Sequence, residues 1–293
     1  MNETNAFPPL PRVPFGTTGL RVTRVGLGGK GILRTFGQET GAQIVIQEAL
    51  HQGLALFDTA PAYMGSEGYL GATWEKDPQA RKSVFLADKS GVRDRDGALH
   101  ELDASLKRLH TDHLDLWQLH DVHTREDFQA IARPGGALEA FVQAKEAGKV
   151  RSIGVSGHFD PDILARCLEQ WPLDCVVMPV NVVEGASENG FLQNVLPIAQ
   201  DKGMAVIGTR VFGGGHYINP QGYVTPELLL RYALSLPVTA VVVGCSMADH
   251  VRILARALRD HRPMDEAMQN ELLEPFRPHA RRMAFYRKDF QAE

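Results

Sequence analysis

The chain has 293 residues, 44% hydrophobic and 23% charged, with a formal net charge of −4. That is the composition of a globular protein with a full core, and a single barrel domain spanning 1–293 is expected, since a complete α/β barrel takes roughly 250 residues. No lysine/arginine run resembles a nucleic-acid footprint, and no apolar run approaches the ~18 residues of a membrane helix. The opening MNETNAFPPLPRV lacks the basic segment and apolar stretch of a secretory leader. Cys167, Cys175 and Cys245 form no CxxC pair, which argues against a disulfide frame or a structural zinc and fits a reducing compartment. The expectation is a cytoplasmic protein, monomeric or a small homo-oligomer, without nucleic-acid or membrane partners.

In chain order, VPFGTTGLRV reads as a β-hairpin, with a Thr-Thr-Gly turn between an aromatic and alternating residues. Its place ahead of the first strand suits a plug for a barrel bottom. Short apolar or β-branched runs then recur about every 30 residues, at roughly 23–28, 54–58, 83–87, 114–119, 150–155, 174–180, 204–209 and 239–243. Helical periodicity fills the intervals, for example at Gly41–His51, Ala98–Leu109, Ala137–Ala147, Asp160–Gln170 and Asp249–Leu258. Gly148 and Lys149 mark one boundary well: a glycine ends the helix and a cation meets the negative end of its dipole. Strand alternating with helix implies a parallel sheet, and eight such units close into a (β/α)₈ TIM barrel. The open doubly wound alternative would usually stop near five or six strands, whereas eight units recur here. From about Arg262 a charged C-terminal helical tail should pack outside the barrel.

Chemistry in a barrel collects where strands end, and the polar exceptions in this sequence fall there. The second strand ends in Asp58, followed by a loop carrying Tyr63. The third ends in ADKS, giving Lys89, and the fourth in QLHD, giving His120. Singly, each has an ordinary explanation, such as a loop cap, a packing ring or a solvated ammonium. Together, an acid, a phenol, an ammonium and an imidazole reach one rim from three successive units.

The segments FDTAPAYMGSEGYLG, ADKS, DLWQLHD, EAGKVRSIGVSGH and GCSMADHV resemble those of the aldo-keto reductases, from the hairpin to the eighth helix. The resemblance implies a catalytic tetrad of Asp58, Tyr63, Lys89 and His120. It also implies hydride transfer between a nicotinamide cofactor and a carbonyl or alcohol carbon. The chemistry is consistent with those four residue types. Tyr63 would donate a proton to the carbonyl oxygen. A free phenol with a pKa of about 10 is a weak acid for that task, and the Lys89 ammonium should lower it. Asp58 would orient Lys89, and His120 would align the substrate oxygen. No metal is required, because the cofactor carries the difficult step.

For the cofactor, the loops after strands seven and eight are the expected phosphate site. Arg210 with Phe212, Gly213 and Gly214 would form one side. Gly244, Ser246, His250 and Arg252 would form the other, with Ser246 and Asp249 read as a capping box at a helix start that attracts anions. Gly29, Asp58, Ser156 and Gly157 would lie along the nicotinamide. The resemblance implies NADP(H) ahead of NAD(H). Three departures from the family pattern concern the cofactor: Met178 replaces a Gln placed against the nicotinamide amide, and adenosine-phosphate recognition is weakened where Cys245-Ser246 replaces a basic residue and Leu254-Ala255 replaces an Asn. Arg252 and Arg256 are possible compensating cations. Ile32, Phe36, Val122, Phe212 and Tyr217 predict a mildly apolar substrate pocket for small aldehydes, ketones or sugars. Two other functions compete. One is a non-catalytic nicotinamide sensor or docking module of the same fold. The other is a metal-dependent hydrolase using His120, His123, His158 and His216, although the first strand offers no His-x-His pair.

Overall fold

The computed structural model describes residues 9–288 and 290. The residues 1–8 on which most of the leader reading rests lie outside it. Strands β1 (Arg12–Pro14) and β2 (Arg21–Thr23) pair antiparallel as the expected hairpin. Eight further strands follow: β3 (Val25–Gly31), β4 (Leu56–Asp58), β5 (Phe85–Ser90), β6 (Leu116–Leu119), β7 (Ile153–Ser156), β8 (Cys175–Pro179), β9 (Ala205–Thr209) and β10 (Ala240–Cys245). They close in the order β10-β3-β4-β5-β6-β7-β8-β9, parallel throughout. Helices occupy every interval between successive barrel strands, so the fold is a (β/α)₈ barrel.

Side-chain alternation along the strands explains the two cores. Leu56, Phe85, Ala87, Leu116, Cys175, Val177, Ala205, Ile207, Ala240 and Val242 fill the barrel and meet Phe15 and Val22 of the hairpin. The Phe15 ring lies 4.6 Å from that of Phe85, so the hairpin does plug the bottom. Gly16 allows this approach: its φ is +54°, and a Cβ there would lie 2.7 Å from the Ala205 nitrogen. Residues between the inward ones, such as Phe57, Leu86, Trp117 and Val176, pack outward against the helices.

The main boundary differences fall at the rim. β5 continues past 87, pairing Lys89 with Gln118 and Ser90 with Leu119, and β10 runs on to Cys245. Polar rim residues look like loop in sequence, yet backbone pairing carries on beneath them. The tail forms helices at Glu266–Leu273 and Ala280–Met283. Its inner face is apolar, with Phe276, Ala280, Ala284 and Tyr286 buried. All three cysteines are buried and free. Among the described residues no helix is long and apolar enough to cross a membrane.

Candidate active site

The strand period that turns Leu56, Ala87 and Leu116 inward also turns in Asp58, Lys89 and Gln118, each two residues further on. Lys89 donates to Asp58 Oδ2 at 2.6 Å and to the Thr59 carbonyl at 2.7 Å. Gln118 donates from Nε2 to Asp58 Oδ1 at 3.0 Å. Both carboxylate oxygens are thus engaged, and Lys89 is only 2% exposed. Burial works to lower the ammonium's pKa, but Asp58 and Tyr63 opposite it carry the net shift upward. Lys89 therefore stays charged.

Tyr63 ends a single 3₁₀ turn, Pro61–Tyr63, that folds back over the rim. Gly29 makes room for it, since a Cβ at that position would meet the Tyr63 ring at 2.8 Å and Ser66 Oγ at 2.6 Å. The Lys89 ammonium lies 4.9 Å from the ring centroid, and His120 stands edge-on with ring centroids 5.7 Å apart. Here one expectation is corrected. Burial raises the phenol's pKa, and Lys89 offsets that only in part, so the net shift is upward. The His120 imidazole is pushed down to about 3 by burial and then by Lys89, and it remains neutral beside the ammonium.

A cavity of about 840 Å³ opens over these groups, within the range of small-molecule sites. Asp58, Tyr63, Lys89, His120, Gly29, Ser156, Gly157, Arg210, Phe212, Gly214, Gly244, Ser246 and His250 all line it. Ser156 Oγ accepts from the Asp121 amide at 3.0 Å and donates to the Leu119 carbonyl at 3.2 Å. Arg210 has a φ of +55°, and its guanidinium lies 4.8 Å over the Tyr286 ring. That ring is fixed from the tail, where its hydroxyl donates to Glu184 at 2.8 Å and accepts from Asn181 at 3.1 Å.

Several sequence expectations are placed elsewhere. Gly213 does not line the cavity: a Cβ there would strike the Tyr217 ring at 2.4 Å, so it is a packing glycine. Arg252 reaches away, bonding Glu48 through two nitrogens at 3.1 Å and Asp249 at 2.6 Å. Arg256 approaches Asp260 at 3.6 Å. Ser246 and Asp249 form no capping box, because the helix starts at Ala248 with Met247 as an N-cap that makes no side-chain bond. Of the apolar pocket residues only Phe212 lines the cavity. Val122 and Tyr217 are core residues, and Phe36 is 69% exposed.

The apolar lining comes from other residues, Val211, Ile218, Pro226 and Val242 among them, while the wall near Tyr63 is polar. Lys30, Arg34, Asp121 and His158 line it, with the Lys30 ammonium 5.6 Å from the Tyr63 ring centroid. Sequence reasoning passed over Gln118 because a single amide in an apolar strand carries no pattern. Lys30 was hidden because it falls inside a glycine-rich run.

A nicotinamide dinucleotide fits the donor set. Gly214 and Gly215 have positive φ, with open space at Gly215 and only a 3.9 Å contact to His216 at Gly214 where a side chain would stand, leaving backbone amides approachable beside the Arg210 cation. Ser246 and His250 line the same cavity.

An acid-held ammonium thus lies against a phenol at the strand-end rim of a parallel barrel, on the floor of a small-molecule-sized cavity. The profile of the aldo/keto reductase family matches residues 24–221. L-galactose dehydrogenase of Arabidopsis thaliana is 27% identical over 81% of this chain and 84% of its own length. NADH-specific methylglyoxal reductase of Escherichia coli is 30% identical over 67% of this chain and 65% of its own. The solved aldo/keto reductase of Klebsiella pneumoniae in complex with NADP and acetate superposes with a TM-score of 0.74 at 21% identity. That match covers 91% of this chain and 95% of the other. The chain belongs to the aldo/keto reductase family and is an NAD(P)H-dependent oxidoreductase.

Proposed function

We propose that the chain interconverts the carbonyl and alcohol of a small aldehyde, ketone or sugar, with Tyr63 as general acid and base and NADP(H) preferred to NAD(H). The observation that carries this reading is the Asp58–Lys89 pair lying against Tyr63 at the cavity floor. When bound, the nicotinamide cofactor exchanges the hydride. Tyr63, a protonated phenol at neutral pH, donates to the carbonyl oxygen. That donation leaves a phenolate, which the Lys89 charge stabilises, and in the oxidative direction the same phenolate accepts the alcohol proton. Neutral His120 offers a hydrogen bond to the same oxygen and orients it. Arg210, Gly214, Ser246 and His250 would hold the cofactor's phosphates and adenosine. Ser156 and Gly157 would border its nicotinamide. The polar wall of Lys30, Asp121 and His158 favours hydroxylated or otherwise polar carbonyls over purely apolar ones. Relatives named for methylglyoxal and for L-galactose agree with that class.

Tyr63→Phe tests the reading. The ring contacts with Gly29, Lys89 and His120 survive, and only the proton donor is lost. After a carbonyl screen has identified a substrate, kcat should fall about 10²–10⁴-fold with the cofactor Kd nearly unchanged. A variant that keeps most of the wild-type kcat would remove Tyr63 from the chemistry. Absence of turnover by the wild type on any carbonyl or sugar, with cofactor still bound, would favour the sensor reading.

A further inference from the structure

We propose that Asp121, His123 and His158 bind one divalent transition-metal ion of the zinc class in the cavity wall, a site that no step of the carbonyl chemistry uses. Asp121 and His123 come from the loop after β6, and His158 from the loop after β7. One ligand atom from each lies within 4.8 Å of the other two. Asp121 Oδ1 is 2.6 Å from His123 Nε2 and 2.9 Å from His158 Nδ1. Both are ion-pair distances when the imidazoles are protonated. Oδ1 and Nε2 are sealed from solvent, yet no N–H is aligned on the carboxylate. With both imidazoles neutral, the same convergence of two ring nitrogens on one carboxylate oxygen is a ligand set for a cation.

The surroundings hold that arrangement. Asp121 has a φ of +58°, a conformation rare outside glycine that persists where neighbours over-determine it. Its amide donates to Ser156 Oγ at 3.0 Å, and its carbonyl accepts from Arg93 at 3.1 Å. The His123 amide donates to Asp127 at 3.1 Å. The His123 ring stands 5.7 Å from that of His158 and 5.4 Å from Phe159. His120 and His216, grouped with these two in the sequence, are not part of the cluster. Their rings pack on Tyr63 and Phe285.

Two imidazoles and one carboxylate form a set that zinc accepts with a fourth position open. Asp121 and His158 line the cavity, so the remaining position would face it. With metal–ligand bonds of about 2.0–2.2 Å, tetrahedral edges are roughly 3.3 Å, so both contacts must open by about half an ångström on loading. Lys30 and Arg210 face the same cavity and oppose a cation, while the Asp121 charge favours one. Affinity in the micromolar range, below that of closed four-ligand sites, is therefore expected.

The test uses the full chain, stripped with a chelator and titrated with Zn²⁺ by calorimetry, and with Co²⁺ followed by visible absorption. One ion per chain is expected, with a tetrahedral Co²⁺ spectrum. His123→Ala and His158→Ala should each weaken binding at least tenfold at an unchanged melting temperature. Should either alanine variant fail to fold, Asp121→Asn, which conserves volume, supplies the same readout. Zn²⁺ binding that survives in these variants, or is absent from the wild type, overturns the proposal. Because the readout is binding, it stands or falls independently of carbonyl turnover.

Discussion

Replacing Lys89 by Met should destabilise the barrel as well as disable it, and the two losses have one origin. The ammonium makes two short bonds, to Asp58 at 2.6 Å and to the Thr59 carbonyl at 2.7 Å, from a position only 2% exposed. Methionine fills the same volume but strands a carboxylate that is itself only 4% exposed. Breaking a buried pair from one side costs about 3–5 kcal/mol, although the Gln118 amide still on Oδ1 holds the loss toward the lower figure. Asp58→Asn is the control. An asparagine oxygen can still accept from Lys89, and Gln118 can rotate its amide to present Oε1, which now has no hydrogen-bond partner. The cost there should stay under about 2 kcal/mol, within the range of one imperfect buried hydrogen bond. Thermal unfolding and kcat measured on both variants make the comparison. Lys89→Met should melt several degrees below Asp58→Asn and retain far less activity, because only it removes the charge beside Tyr63. Equal and small effects of the two would refute a coupled Asp–Lys–Tyr arrangement.

Gln118→Leu should lower kcat with little change in KM, because it releases Asp58 Oδ1 without touching the cavity wall. The charge-assisted bond it removes is worth about 1.5–3 kcal/mol, and an unaltered kcat would mean that Lys89 alone orients the carboxylate. Tyr286→Leu takes away the ring beneath the Arg210 guanidinium. Cation–π support of about 0.5–2 kcal/mol predicts a 2- to 30-fold rise in cofactor Kd by fluorescence titration, and an unchanged Kd would detach Arg210 from cofactor binding.

The barrel and the residues on its rim were legible because both depend on strand alternation, which sequence carries directly. Asp58 and Lys89 sit two residues beyond apolar inward positions, and no tertiary knowledge is needed to place them at one end. What failed were inferences from spacing on helices and loops. Arg252 and Arg256 lie on one helix, but spacing cannot reveal that Glu48, from the helix Glu39–His51, stands across from Arg252. Ser246 and Asp249 have capping-box spacing, but Asp249 is taken by Arg252 and the helix begins one residue later. Val122 and Tyr217 were read as pocket lining because they follow rim motifs. In the fold the Val122 amide pairs with the Ser156 carbonyl at 2.9 Å, and the Tyr217 hydroxyl donates to the Met283 carbonyl at 3.2 Å. Both side chains are thereby drawn into the core. The polar cavity wall was hidden for the converse reason, since its members come from the end of β3, the turn after it and two separate loops with no common pattern.

Cofactor preference follows from the same correction. A 2′-phosphate adds negative charge and needs a cation or a helix start beside it. Arg252 is bound to Glu48 and Asp249 at the surface, so freeing it for a phosphate means giving up both partners. What remains beside it is the start of the helix Ala248–Arg259, with Ser246 and His250 on the cavity side. An exposed helix terminus contributes about 0.3–1 kcal/mol toward an anion, which corresponds to a preference of roughly 2- to 5-fold. A charge-assisted arginine contact would add about 1.5–3 kcal/mol, which would raise the ratio well above tenfold. NADPH should therefore bind more tightly than NADH by no more than about fivefold, and Arg252→Ala should leave both affinities unchanged. Fluorescence titration of the two proteins with both cofactors decides it. Tighter NADH binding would reverse the preference itself. A ratio far above tenfold that collapses in Arg252→Ala would show that the arginine leaves its surface partners for the phosphate. The same ratio surviving in that variant would direct attention to Arg34, which lines the cavity on the turn after β3 and makes no ion pair among the described residues.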